Sequence, residues 1–163
     1  MRTSDTELDR AFAAAAASSG LPEQWIRYVV AAESGGNPFA TSRAGAMGLM
    51  QLMPSTWREQ QQRLALGPDP FDVSDNLAAG ADYLRQMVAR FGLSGGLAAY
   101  NAGPARYLQY LAGRSLPQET RTYVARLAPQ LLRGDGAKIQ SKRKAAPWAH
   151  SPLNPTPEGG SNP

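Results

Sequence analysis

The stretch NLAAGADYLRQMVARF, residues 76–91, carries the clearest structural signal in the chain. Its apolar residues recur at helical spacing and therefore share one face: Leu77, Leu84, Val88 and Phe91. Asp75 stands where a helix cap is expected, and Gly92 follows where a helix would stop. The pattern predicts an amphipathic helix that packs against a core.

Weaker helical patterns lie on both sides of this segment. Upstream, helices are predicted at about residues 4–19, 22–34 and 54–63, and downstream at about 97–102, 104–112 and 117–128, the last ending before Pro129. Stretches rich in Gly and Pro separate them at residues 35–46 and 67–70. No useful strand-like alternation is found, so the predicted fold class is all-α with six or seven helices.

Composition fits one globular domain. The chain has 163 residues, of which 42% are hydrophobic and 18% charged. The absence of cysteine excludes disulfides and cysteine-based zinc sites. Seventeen basic and thirteen acidic side chains give a net charge of +4, a mild bias toward anionic partners.

The two ends of the chain differ from its middle. The longest apolar run, residues 11–17, is far below the ~20 residues of a membrane span, and acidic residues precede it where a secretory signal needs positive charge. Residues 134–163 combine a basic patch with much Pro, Gly, Ser and Asn. We expect a domain at residues 1–133 and a flexible tail at 134–163, which is either a disordered terminus or an adaptor for a partner.

Glu33 is the first candidate for chemistry. It follows Ile26, Val29 and Val30 at helical spacing, which places it on or beside an apolar face. A carboxylate there is costly to ionise, so its pKa should rise and it could exchange protons near neutral pH. The alternative is a helix-end glutamate that points to solvent.

Two other polar residues stand inside apolar runs. Gln51 must find hydrogen bonds if it is buried, either with sugar groups or by tying down its own loop. Tyr100 precedes Asn101 beside a helix break, where it could stack on a sugar, hold Glu33 through its hydroxyl, or simply fill the core.

Taken together, these segments resemble the soluble lytic transglycosylase catalytic domain, which is related in fold to goose-type lysozyme. The resemblance rests on Glu33-Ser34, on the run GAMGLMQLMP at residues 45–54 and on the run AAYNAGP at residues 98–104. It extends from about Leu21 to Leu131. It implies a lysozyme-like helical domain that cleaves peptidoglycan.

The resemblance also implies roles for individual residues. Glu33 matches the catalytic acid/base. The positions that match substrate-contacting or neighbouring residues are Ser42, Gln51, Met53, Tyr100, Asn101, Glu119 and Tyr123, with Thr120 inside the same Glu-Thr-x-x-Tyr-Val pattern. No cofactor and no metal are implied.

Most glycosidases use two carboxylates. The candidates for a second one here are Asp69, Asp72 and Asp75, which lie in a Pro-rich loop and at a helix start, where Asp usually forms turns or caps. The resemblance implies one acid, Glu33, and a 1,6-anhydromuramoyl product. A muramidase-type hydrolase and a catalytically silent peptidoglycan-binding module remain alternatives.

The expected partner is the peptidoglycan glycan strand, in the periplasm or cell wall. Small members of the family often serve secretion or conjugation machinery, so a component of such a machine is a second candidate partner. No nucleic-acid partner and no transmembrane segment are expected, and the chain is expected to be a monomer.

Overall fold

The computed structural model describes the backbone of residues 3–133 and side chains from residue 6 onward. Six helices follow one another: α1 (Thr3–Ser19), α2 (Glu23–Glu33), α3 (Pro54–Leu64), α4 (Val73–Ala102), α5 (Pro104–Leu111) and α6 (Gln118–Arg133). Within that range the only extended pairings are isolated bridges of Met47 with Thr41 and with Leu52. The all-α prediction is confirmed. The predicted tail at 134–163 lies outside the described residues.

Helix α4 forms the centre of the domain and contacts α1, α3, α5 and α6. Helix α2 packs against α1 and α6. The largest fully buried side chains come from α2, α4, α6 and the segment between α2 and α3; among them are Trp25, Ile26, Leu49, Met50, Leu84, Leu97 and Leu131. One continuous core therefore joins the helices to that segment.

The start of α4 differs from the sequence prediction. Its cap is Asp72, whose side chain accepts the Asp75 amide at 2.9 Å, so the prediction of Asp75 as the cap is wrong. Gly92 ends the first helical part of α4, as predicted, because its φ of 83° and ψ of 175° are non-helical, and a second helical part follows across this kink to Ala102. Gly96 allows this, because a Cβ there would lie 2.6 Å from the Val88 Cα.

Helix α6 also runs further than predicted, because it continues through Pro129 to Arg133. Proline removes one helical hydrogen bond. Tertiary contacts outweigh that loss: Leu131 is fully buried, and its carbonyl accepts the Trp25 indole N–H at 3.0 Å.

The segment between α2 and α3 is held by one buried side chain, Asn76. Its Oδ1 accepts the Met50 amide at 2.8 Å, and its Nδ2 donates to the carbonyls of Pro70 at 2.8 Å and Met47 at 3.2 Å. Gly48 lies directly above it, where a Cβ would meet Asn76 Nδ2 at 2.3 Å. The sequence treated Asn76 only as a helix start, whereas it fixes the segment that carries Gln51.

Candidate active site

One cleft of about 920 Å³ opens where the C-terminal end of α2, the segment before α3, the end of α4 and α6 meet. All eight predicted site residues line it: Glu33, Ser42, Gln51, Met53, Tyr100, Asn101, Glu119 and Tyr123. They come from positions up to 90 residues apart in the chain, which only the packing of α2, α4 and α6 brings together.

Glu33 is the last residue of α2 and reaches into this cleft from the helix face that also carries buried Val29 and Val30. The pKa of its carboxyl is raised from 4.5 to about 7, mainly by burial and also by the negative charge of Glu119, while Tyr123 and Arg126 oppose the rise. Its Oε1 is buried and has no hydrogen-bond partner. The result is an acid that is half protonated near neutral pH.

Tyr123 belongs to α6 and lies beside Glu33, the last residue of α2. Its hydroxyl is buried and lowers the pKa of the Glu33 carboxyl, yet it forms no hydrogen bond of normal geometry. The pKa of Tyr123 itself is strongly raised by burial and by the charge of Glu33, so this phenol stays neutral. A neutral hydroxyl beside the acid can donate to the carboxylate once Glu33 has lost its proton.

Tyr100 fills the floor of the cleft rather than holding Glu33. Its hydroxyl donates to the Met50 carbonyl at 2.7 Å, and its ring packs on Tyr83 with centroids 5.4 Å apart. Of the three roles that the sequence left open, the structure shows the core aromatic and no bond to Glu33, and stacking on a sugar stays a prediction. Tyr100 still borders the cleft. Burial, and next the charge of Glu33, raise the pKa of its phenol.

Gln51 ties down its own loop, which is one of the two roles that the sequence left open. Its Nε2 donates to the carbonyls of Gly48 at 2.8 Å and Ala40 at 3.1 Å, which ties the loop together. Its backbone has φ 49°, an unusual value for a residue with a side chain. With both amide hydrogens used, the amide oxygen is the group left to accept from a ligand in the cleft.

The remaining predicted residues line the rim and the α6 wall. Ser42 accepts the Ala46 amide through its Oγ at 3.0 Å, and Met53 is exposed at the start of α3. Asn101 accepts the Thr120 hydroxyl at 2.8 Å through its Oδ1, which leaves its amide hydrogens for a ligand. Glu119 is exposed in the first turn of α6.

Sequence reasoning missed several cleft residues. Tyr83 and Thr56 line the wall formed by α3 and α4, and Arg126 lines the α6 wall. Arg126 had a usable signal, because it lies seven residues after Glu119 and three after Tyr123 and so shares their helix face. Tyr83 had no such signal in the sequence, because its place in the cleft depends on tertiary packing against Tyr100.

The three loop aspartates are structural, as the sequence favoured. Asp69 accepts the Phe71 amide at 2.9 Å, Asp72 caps α4, and Asp75 accepts the Gly67 amide at 2.8 Å. None of them lines the cleft. Among residues 3–133, no cluster of His, Cys, Asp and Glu side chains is arranged to hold a metal, and no helix is long and apolar enough to cross a membrane.

A helical lysozyme-like domain with one buried acid in an open cleft is the class that this fold and site define. The transglycosylase SLT domain model matches residues 10–120, and the chain belongs to that family. The solved structures that it resembles include an inactive mutant of the lytic transglycosylase Slt from Pseudomonas aeruginosa, with a TM-score of 0.67 and 30% identity over 82% of this chain and 24% of that one.

Curated relatives are also named as transglycosylases. The chain is 41% identical over 92 residues to a transglycosylase of Enterobacteria phage PRD1, covering 55% of this chain and 32% of the relative. It is 34% identical over 123 residues to the soluble lytic murein transglycosylase of Escherichia coli K12, covering 64% and 19%. The chain thus spans about a third or less of the length of these two relatives.

Proposed function

We propose that this chain is a peptidoglycan lytic transglycosylase in which Glu33 is the catalytic acid and then the base. The observation that carries the proposal is the Glu33 carboxyl itself, whose Oε1 is buried without a partner at the wall of a cleft of about 920 Å³ and whose pKa is raised to about 7. A carboxyl with that pKa is protonated often enough to donate and is basic enough to take a proton back.

The first step breaks the β-1,4 bond between N-acetylmuramic acid and N-acetylglucosamine. Neutral Glu33 donates its proton to the glycosidic oxygen, and the bond between that oxygen and the muramoyl C1 breaks. The substrate's own 2-acetamido oxygen stabilises the positive charge that develops at C1. The Tyr123 hydroxyl lies where it can donate to the new Glu33 carboxylate.

The second step closes a ring without water. The Glu33 carboxylate takes the proton of the muramoyl C6 hydroxyl while the oxygen bonds to C1, which gives a 1,6-anhydromuramoyl end and restores neutral Glu33. An intramolecular hydroxyl competes well because its effective concentration is high. The other polar groups of the cleft, including Ser42, Gln51, Asn101 and Glu119, hold the sugars.

A muramidase-type hydrolase is the second candidate, and Glu119 is the observation that favours it. Glu119 is the other carboxylate of the cleft and lies close enough to Glu33 to raise its pKa. It could activate water on the far side of the bond. Its exposure at the rim supports sugar binding instead, since both carboxylate oxygens are open to accept hydrogen bonds from sugar hydroxyls.

Mass spectrometry of the products from purified peptidoglycan separates the two candidates. Anhydromuramoyl ends that vanish in Glu33→Gln and persist in Glu119→Gln support the transglycosylase. Hydrated reducing ends alone, lost in both variants, would establish the hydrolase. Glu7→Gln is a matched control, because Glu7 is exposed and lies outside the cleft. A Glu33→Gln protein with normal cleavage would reject both mechanisms.

As a cellular role, we propose that the enzyme acts in the periplasm and opens local gaps in the peptidoglycan wall for a secretion or conjugation machine. A compact domain and the basic segment at residues 138–144 motivate this. Deleting residues 134–163 should spare cleavage of purified peptidoglycan and impair assembly of the machine in cells. Equal loss of both activities would contradict an adaptor role.

A further inference from the structure

Arg126 is the one cation among the residues that line the cleft. It lies on α6 one turn after Tyr123, and its side chain is exposed. Half-buried Arg27, by contrast, pairs with Asp9 and Glu23. Arg126 has no ion pair and no side-chain hydrogen bond with any described residue, although Glu33 and Glu119 share its cleft.

The position of Arg126 limits what it can bind. It lies close enough to Glu33 for its charge to lower the pKa of that carboxyl, yet it forms no salt bridge with it. Its guanidinium donors therefore remain free beside the bond that Glu33 would protonate. Five donors in a planar fork match a carboxylate in two parallel hydrogen bonds.

The substrate offers such carboxylates on the peptide attached to the muramoyl residue at that bond. The sugar rings of peptidoglycan are uncharged, whereas the peptide on the lactyl group of each muramoyl residue carries carboxylates. We propose that Arg126 binds a peptide carboxylate of the muramoyl residue at the cleavage point and so makes the enzyme select glycans with anionic stem peptides. This inference rests on the proposed peptidoglycan activity.

The test uses uncross-linked glycan strands with free peptide carboxylates and the same strands after chemical amidation of those carboxylates. For the wild-type chain, amidation should lower kcat/KM roughly tenfold, the worth of a charge-assisted bidentate contact, mainly through KM. Arg126→Gln should cleave both substrates equally, at the rate that the wild type shows on amidated strands. Arg126→Lys keeps the charge without the fork and should fall between them.

Arg121→Gln is the matched control, because Arg121 is exposed on the same helix but lies outside the cleft. It should discriminate as the wild type does. Equal cleavage of both substrates by the wild type, or discrimination that survives in Arg126→Gln, would overturn the inference. So would an equal loss on both substrates with a shifted pH profile, since Arg126 would then act only on Glu33. If the wild type cleaves neither substrate, the proposed function itself fails.

Discussion

Glu33 shows how one residue's surroundings set its chemistry. Desolvation at the end of α2 is the largest influence on its pKa, and Tyr123 and Arg126 only moderate it. The same carboxyl on an exposed helix end would be ionised at neutral pH and could not act as an acid. The position of Glu33 against Tyr123 and Tyr100 therefore matters as much as its identity.

The pH dependence of cleavage follows from the Glu33 pKa. Because the acid must start protonated, kcat/KM should be level well below pH 7 and fall about tenfold per pH unit above it. Tyr123→Phe removes a group that lowers this pKa, so the descending limb should move to higher pH. A kcat/KM profile of both proteins checks this, and a limb that moves to lower pH would contradict it.

The buried Glu33 carboxyl should lower the free energy of unfolding at pH values above its usual pKa. The folded state binds the Glu33 proton more tightly than the unfolded chain does, so the contribution of Glu33 to stability is fully present below pH 4.5 and is lost as pH rises through about 7. A shift from 4.5 to about 7 corresponds to a loss on the order of 3 kcal/mol. Glu33→Gln should lack this decline; denaturant unfolding at pH 4 and pH 8 measures it, with Glu7→Gln retaining the wild-type slope.

At the scale of elements, the segment between α2 and α3 is an irregular loop made rigid by hydrogen bonds. Gln51 bonds it from within, and Asn76 bonds it from α4. Neither bond could be inferred from local pattern, because each partner is a backbone group. The predicted loop at residues 35–46 was right as a loop, but its fixed shape depends on α4.

Asn76→Ala should both destabilise the domain and lower kcat. It leaves the Met50 amide and the carbonyls of Met47 and Pro70 without their partner, a cost of about 3 kcal/mol or more. Denaturant unfolding and kcat at a temperature where the variant is still folded check both effects. Gln24→Ala removes only an exposed hydrogen bond to Tyr28 and should change neither.

At the scale of the whole molecule, α6 contributes both to the core and to one wall of the cleft. Its Tyr123 face meets Glu33, and its last turn carries Leu131, which is fully buried against Trp25. The end of the catalytic domain should therefore be decided by Leu131 rather than by Pro129, where the sequence pattern predicted the helix to stop.

Two truncations test where the domain ends. A chain that stops after Arg133 should keep the wild-type melting temperature and its activity on purified peptidoglycan. A chain that stops after Pro129 loses the Leu131 side chain and the acceptor of the Trp25 indole, so its melting temperature should fall by about 5 °C or more. Equal melting temperatures for the two chains would refute this boundary.

The sequence by itself determined the fold class and the family resemblance, because helical periodicity and the two dense motifs are local and survive without coordinates. The resemblance in turn supplied the eight residues that share the cleft. The sequence did not determine where α4 begins or where α6 ends, since α4 starts at Val73 and packing carries α6 through Pro129. Nor did it reveal Asn76, Tyr83 or Arg126 as parts of the site. Only the tertiary structure decided those, because hydrogen bonds, burial and charge beside Glu33 arise between segments that are distant in the chain.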